Sequence, residues 1–169
     1  MNPARAFTIV ELVLVITVSV ILSAVAIGGL LGYDSWRSAA AVKRIQADLL
    51  YARQLAMQSQ RRTLCVFDTG AQTYALQQEA TPGSGAVTGA SLTHPLTEAN
   101  WSVAMSGLSA SLTVSSVSGA SGNTFGFDAN GMPIESTGAA VSGDVDVTFS
   151  DGVKLRVAQH TGIAEIIRP

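Results

Sequence analysis

From Leu12 to Tyr33 the chain holds 22 consecutive residues without a charged side chain, bounded by Glu11 and Asp34. A helix rises about 1.5 Å per residue, so the run spans roughly 33 Å, enough to cross the hydrocarbon of a bilayer. A secretory signal has a shorter apolar region, about 7–15 residues, closed by a small-residue cleavage site. This run instead leads without a proline into more helix-forming sequence. Beyond it Val42, Ile45, Leu49, Ala52 and Ala56 recur at steps of three and four, while Lys43, Arg44, Gln46, Asp48 and Arg53 fall largely on the other side. The spacing predicts one helix from Phe7 to about Gln60, whose outer half has an apolar stripe that needs a sheet to lie on. Gly28, Gly29 and Gly32 interrupt good helix formers at about 1 kcal/mol each relative to Ala, so the first half can bend there. Arg61-Arg62 closes the helix with charge that suits the carboxyl end of its dipole.

After the helix the period changes to two. Thr63 to Phe67 reads as a strand, Asp68-Thr69-Gly70 as a turn and Thr73 to Gln77 as the returning strand. Residues 80 to 91 are a loop by composition. Shorter strands are expected around Trp101 to Met105 and Leu112 to Val117, with a loose connection over 118 to 122. Thr124 to Phe127 then runs into the turn Asp128-Ala129-Asn130-Gly131 and on to Met132-Pro133-Ile134. Val145, Val147 and Phe149 alternate with polar residues, Asp151-Gly152 turns the chain, and Val153, Leu155 and Val157 alternate on the way back, which is the strongest hairpin pattern present. Thr161-Gly162 turns again before a last strand over 163 to 167. One long helix followed by antiparallel strands is an α+β arrangement with the helix packed on a sheet.

Glu11 does not fit a plain membrane anchor, because an ionised carboxylate at the edge of hydrocarbon costs a few kcal/mol and usually has a partner. The short leader Met-Asn-Pro-Ala-Arg-Ala, the small Ala6, Phe7 and Glu11 four positions after the Phe resemble the class III signal of type IV pilins and type II secretion pseudopilins. The resemblance implies a cut by prepilin peptidase between Ala6 and Phe7 on the cytoplasmic side, and N-methylation of Phe7. Ala6 stands where that family usually has Gly, and the proline often found in the family's apolar segment is absent. The free amine created at Phe7 is cationic, and Glu11 of a neighbouring subunit can pair with it where both are out of water. Offset helices packed side by side would satisfy every amine and every Glu together.

The helix end Gln46 to Ala56, the turn Phe127-Asp128-Ala129-Asn130-Gly131 and the terminal Thr161-Gly162-Ile163 are similar to the H-type minor pseudopilins of type II secretion, the GspH/FimT group, and to a minor pilin of the mannose-sensitive haemagglutinin pilus. The resemblance implies a type IV pilin-like fold: a leader over 1–6, a transmembrane and assembly helix over 7–33, and a periplasmic globular domain over 34–169. It implies a single-pass protein of the bacterial inner membrane with its carboxyl-terminal domain in the periplasm, later part of a pilus or pseudopilus. The partners would be other pilins or pseudopilins, prepilin peptidase and the inner-membrane assembly platform.

Composition narrows the remaining classes. Charged residues make up 13% of the chain, and net charge is −2. Residues 1 to 62 hold seven basic side chains against three acids, a balance of +4, while residues 63 to 169 hold three against nine, a balance of −6. A nucleic-acid binder carries a basic face on its domain, and this domain is acidic. Some members of the FimT branch bind DNA through a Gly-Arg-x-Arg motif, but at the matching turn this chain reads Gly162-Ile163-Ala164-Glu165, leaving only Arg168 nearby. DNA uptake is therefore the alternative reading, and nucleic acid is not the expected partner. Cys65 is the only cysteine, so no intrachain disulfide can form, and its apolar neighbours suit a buried thiol. His94 and His160 lack ligand-type neighbours, and Asp128-Ala129-Asn130-Gly131 lacks the later ligands of a calcium loop. Asp144, Asp146 and Asp151 could gather at one sheet end and hold calcium weakly. No metal, cofactor or catalytic residue is expected, and a membrane-anchored periplasmic enzyme would need a constellation that the chain does not contain.

Overall fold

The computed structural model describes residues 8–31, 33–83, 90–95 and 97–169, with the backbone alone for 25–31, 33 and 90. The expected leader, its cut between Ala6 and Phe7, and Gly32 lie outside the described residues. Backbone contacts divide the chain into two units, Met1–Trp36 and Arg37–Pro169. The expected helix is described in two stretches on either side of Gly32, α1 (Ile9–Leu31) and α2 (Tyr33–Ser59). The second helix ends where Gln60 takes up left-handed backbone, φ 54°, and its side-chain amide donates to the Met57 carbonyl at 2.8 Å.

In the second unit the helical stripe is buried as its spacing requires: Ala41, Val42, Ile45, Leu49, Ala52 and Ala56 are each at most 3% exposed. Two antiparallel sheets supply the other walls. One contains β1 (Thr63–Asp68), β2 (Thr73–Gln78), β3 (Ala90–Ser91), β4 (Ser102–Ala104), β6 (Thr124–Phe127) and β7 (Pro133–Glu135), in the order β3-β2-β1-β6-β7 with β4 also on β2. The other contains β5 (Val114–Ser118), β8 (Val145–Phe149), β9 (Lys154–Val157) and β10 (Ala164–Ile167), in the order β10-β9-β8-β5. The alternation read from residues 145–157 becomes the β8–β9 pair, in which Val147 faces Leu155 and Val145 faces Val157. Inward-facing residues of both sheets join the α2 stripe in one core. Within it Phe67 stacks on Tyr74 and on Phe125 at centroid distances of 5.7 and 5.8 Å. Burying each of these large side chains contributes about 1.5–3 kcal/mol.

The hairpin of β1 and β2 turns where the Asp68 carboxylate accepts the Gly70 and Ala71 N–H groups at 2.9 and 2.8 Å. The next residue, Gln72, bridges to the second sheet. Its amide accepts the Val114 N–H at 2.7 Å and donates to the Val114 carbonyl at 3.1 Å, so the start of β5 pairs with a side chain that imitates a strand.

Two expectations need correction. The loop expected over 80–91 ends in a strand, because Ala90 and Ser91 pair with Gln78 and Gln77 on the edge of β2. A two-residue strand has no period to read, and only the open edge of β2 creates it. The strand expected over 101–105 is confined to Ser102–Ala104, and the chain then forms the short helix α3 (Met105–Leu108). Pairing ends there because Met105 turns into the core at 1% exposure.

Candidate functional site

The first helix begins at a threonine that the sequence reading passed over. Thr8 accepts the Glu11 N–H on its Oγ1 at 3.3 Å, and its carbonyl accepts the Leu12 N–H at 3.2 Å. Thr8-x-x-Glu11 is thus the spacing of a capping box, visible in the sequence alone, and Glu11 lies in the first turn, where a negative charge suits the helix dipole. Glu11 is exposed, and among the described residues its carboxylate has no ion-pair partner. Ala6 and Phe7 lie outside the described residues.

Behind Glu11 the helix is apolar on every side. Ile9, Val10, Leu12, Val13, Leu14, Val15, Ile16, Val18, Val20, Ile21 and Leu22 are between 45% and 82% exposed. A helix apolar all round is stable only inside a large core, in a bundle or in lipid. Its few hydroxyls are compatible with a dry setting: Thr17 donates to the Val13 carbonyl at 2.7 Å and Ser23 to the Ser19 carbonyl at 2.8 Å. The side chains of α1 are described as far as Ala24, and among the residues so described no helix is long and apolar enough to cross a membrane.

The three later stretches singled out in the sequence meet in space. Arg53 of α2 donates from Nε to the Gly131 carbonyl at 3.0 Å, and Gln60 donates to the Ala129 carbonyl of the same turn at 3.3 Å. Gly162 of the terminal turn lies so close that a Cβ there would stand 2.2 Å from the Gly131 oxygen and 3.0 Å from the Arg53 Nε. About two helical turns before Arg53 on α2, Gln46 donates to the Ala164 carbonyl at 2.7 Å and ties β10 down. The turn Asp128–Gly131 is held internally, its Asp128 carboxylate accepting the Asn130 and Met132 N–H groups at 2.9 and 2.8 Å. These residues form a joint between the helix end and two loops. Their chemistry is backbone satisfaction, with no nucleophile or ligand set.

Asp144, Asp146 and Asp151 do not gather. Asp146 takes a two-pronged hydrogen bond from Arg156, at 2.7 and 2.8 Å, which holds its carboxyl below the usual range. Asp144 accepts the Gln159 N–H at 3.0 Å, and Asp151 lies beyond the far end of β8, where it accepts the Val153 N–H at 3.1 Å. Among the described residues no three His, Cys, Asp or Glu side chains come together to hold a metal. The Arg156 that a basic surface would need is engaged by these acids. The expected burial of Cys65 is observed, and burial, reinforced by the nearby Asp48 charge, pushes its thiol up, away from the reactive thiolate. Asp48 itself is buried, accepting the Tyr74 hydroxyl at 2.5 Å and facing Arg44 at 3.4 Å. His160 is exposed, whereas His94 is half-buried and tilts over Trp101 at 4.4 Å, a ring contact no sequence period signals.

No protein-family model matches the sequence, and no curated protein matches it. Solved structures do. Two structures of the minor pseudopilin EpsH from the type II secretion system of Vibrio cholerae superpose with TM-scores of 0.55 and 0.54, at 11% and 13% identity. They cover 81% and 79% of this chain and 96% and 98% of their own. The type IV minor pilin FimU of Pseudomonas aeruginosa superposes with a TM-score of 0.49 at 18% identity, over 78% of this chain and 88% of its own. With a helix packed on antiparallel sheets, the chain has the type IV pilin-like α+β fold seen in the minor pseudopilin EpsH.

Proposed function

We propose that this protein is a minor pilin or pseudopilin, a structural subunit that assembles into a type II secretion pseudopilus or a type IV pilus. The observation that carries the reading is α1: a helix exposing large aliphatic side chains on all sides, with one acid in its first turn, in a chain that otherwise folds like EpsH. Such a helix serves twice, first as a single inner-membrane span with residues 34–169 in the periplasm, then as the packed rod of a fibre. Prepilin peptidase cuts between Ala6 and Phe7 and methylates Phe7, and Glu11 pairs with the new amine of an adjacent subunit, other pilins or pseudopilins being the neighbours. The inner-membrane assembly platform extracts the subunit. The mechanism is packing, without catalysis or a cofactor.

Two measurements test this. Co-expression of the full chain with a prepilin peptidase is expected to remove residues 1–6 and add one methyl, read by intact mass; an unchanged mass overturns the processing step. Glu11→Ala is expected to be cleaved yet to enter fibres poorly. Incorporation equal to wild type would overturn the pairing.

A further inference from the structure

We propose that Trp36 sits in the lipid headgroup layer on the side of the membrane away from Glu11 and sets how deeply the amino-terminal unit is inserted. The inference rests on the membrane reading of α1 and adds to it the level at which the lipid surface meets the chain. The two tryptophans have opposite settings. Trp101 is 4% exposed, stacked on Tyr51 at 5.0 Å with His94 tilted over it at 4.4 Å, whereas Trp36 is 68% exposed. Trp36 belongs to the same unit as α1 and is the first large apolar side chain beyond Tyr33, where the charge-free run ends. Its neighbours are those of a boundary: Asp34 and Ser35 are exposed, Arg37 follows, and burial against the domain core begins only at Ser38. An indole in water leaves a large ring uncovered, and in hydrocarbon it leaves an N–H without an acceptor. The headgroup layer satisfies both parts, which is why Trp and Tyr collect there. Because the run between Glu11 and Asp34 matches the hydrocarbon in length, placing the acid at one lip brings the indole to the other.

The test uses the full chain in phosphatidylcholine and phosphatidylglycerol vesicles, with a Trp36→Phe variant subtracted to isolate the Trp36 emission from that of Trp101. Lipids brominated just below the carbonyls are expected to quench Trp36 more than lipids brominated near the chain ends, with only slight quenching by acrylamide. A Val18→Trp reporter in the Trp36→Phe background is expected to show the reverse depth order. Full acrylamide quenching of Trp36 with no effect of brominated lipid overturns the proposal, as does quenching deepest at the chain ends. If the Val18→Trp reporter still senses deep bromine in that case, the membrane reading survives; if neither position senses lipid, both fall.

Discussion

A glycine series measures the joint between the helix end and the two loops. Gly162 has φ +62°, and a Cβ there would stand 2.2 Å from the Gly131 oxygen, far inside the 3.4 Å at which ordinary contact begins. Gly162→Ala therefore meets two costs. Left-handed backbone costs an L-residue about 1–2 kcal/mol. Relieving the clash moves the terminal turn off Gly131 and loosens the bond from the Arg53 guanidinium, worth about 1.5–3 kcal/mol for a charged donor. Together these predict a loss of about 3–5 kcal/mol and, for a domain of this size, a melting temperature lower by about 10–20 °C. Gly122 separates the two costs, since its φ is +65° and a Cβ would meet nothing within 4 Å. Gly122→Ala is expected to lose only the conformational part, about 1–2 kcal/mol. Thermal unfolding of the full chain in detergent, followed by far-ultraviolet circular dichroism, gives both values. Arg53→Ala should cost less in the Gly162→Ala background than in wild type, because the contact it removes is already loosened. If Gly162→Ala melts with Gly122→Ala, or the two changes at Arg53 and Gly162 add fully, the joint does not hold the loops to the helix as described.

Three further outcomes follow from individual contacts. Tyr74→Phe leaves the buried Asp48 carboxylate without its 2.5 Å donor and is expected to cost about 1.5–3 kcal/mol in denaturant unfolding; an unchanged midpoint would contradict that bond. Asp146 has its carboxyl held below the ordinary carboxylate range, chiefly by the hydrogen bonds from Arg156, so its contribution is present above the unfolded carboxyl's range and is lost as pH falls through the lower folded one. Asp146→Asn should therefore trail wild type most at neutral pH and converge with it in acid, and a gap that widens on acidification would refute the sign. Cys65 is fully buried and its thiol is raised by burial, so a thiol reagent is expected to modify it only at the rate of unfolding. Fast labelling of the folded chain would place it elsewhere.

Periodicity carried most of the architecture because it records which face each element must bury. The stripe from Val42 to Ala56 and the alternation from Val145 to Val157 are buried as spaced, apart from the half-buried Val153, and the turns at Asp68, Asp128 and Asp151 form where a short acid can accept backbone N–H groups. The Glu11 position and the charge-free run behind it were equally plain, since both are local features of composition. The Thr8 cap is local as well, carried by the Thr-x-x-Glu spacing. What the linear order could not contain is pairing between distant segments. Ala90 and Ser91 are a strand only because β2 presents an open edge, Gln72 stands in for a strand only where Val114 comes within reach, and Asp144 and Asp146 turn toward Arg156 rather than toward Asp151. The same holds for the joint: Arg53, Gly131 and Gly162 read as three separate similarities until folding places one oxygen and one guanidinium where a methyl group would not fit. Local backbone preference and hydrophobic period are properties of neighbouring residues, whereas an edge, an ion pair or a missing side chain has meaning only once residues far apart in sequence share the same few ångströms.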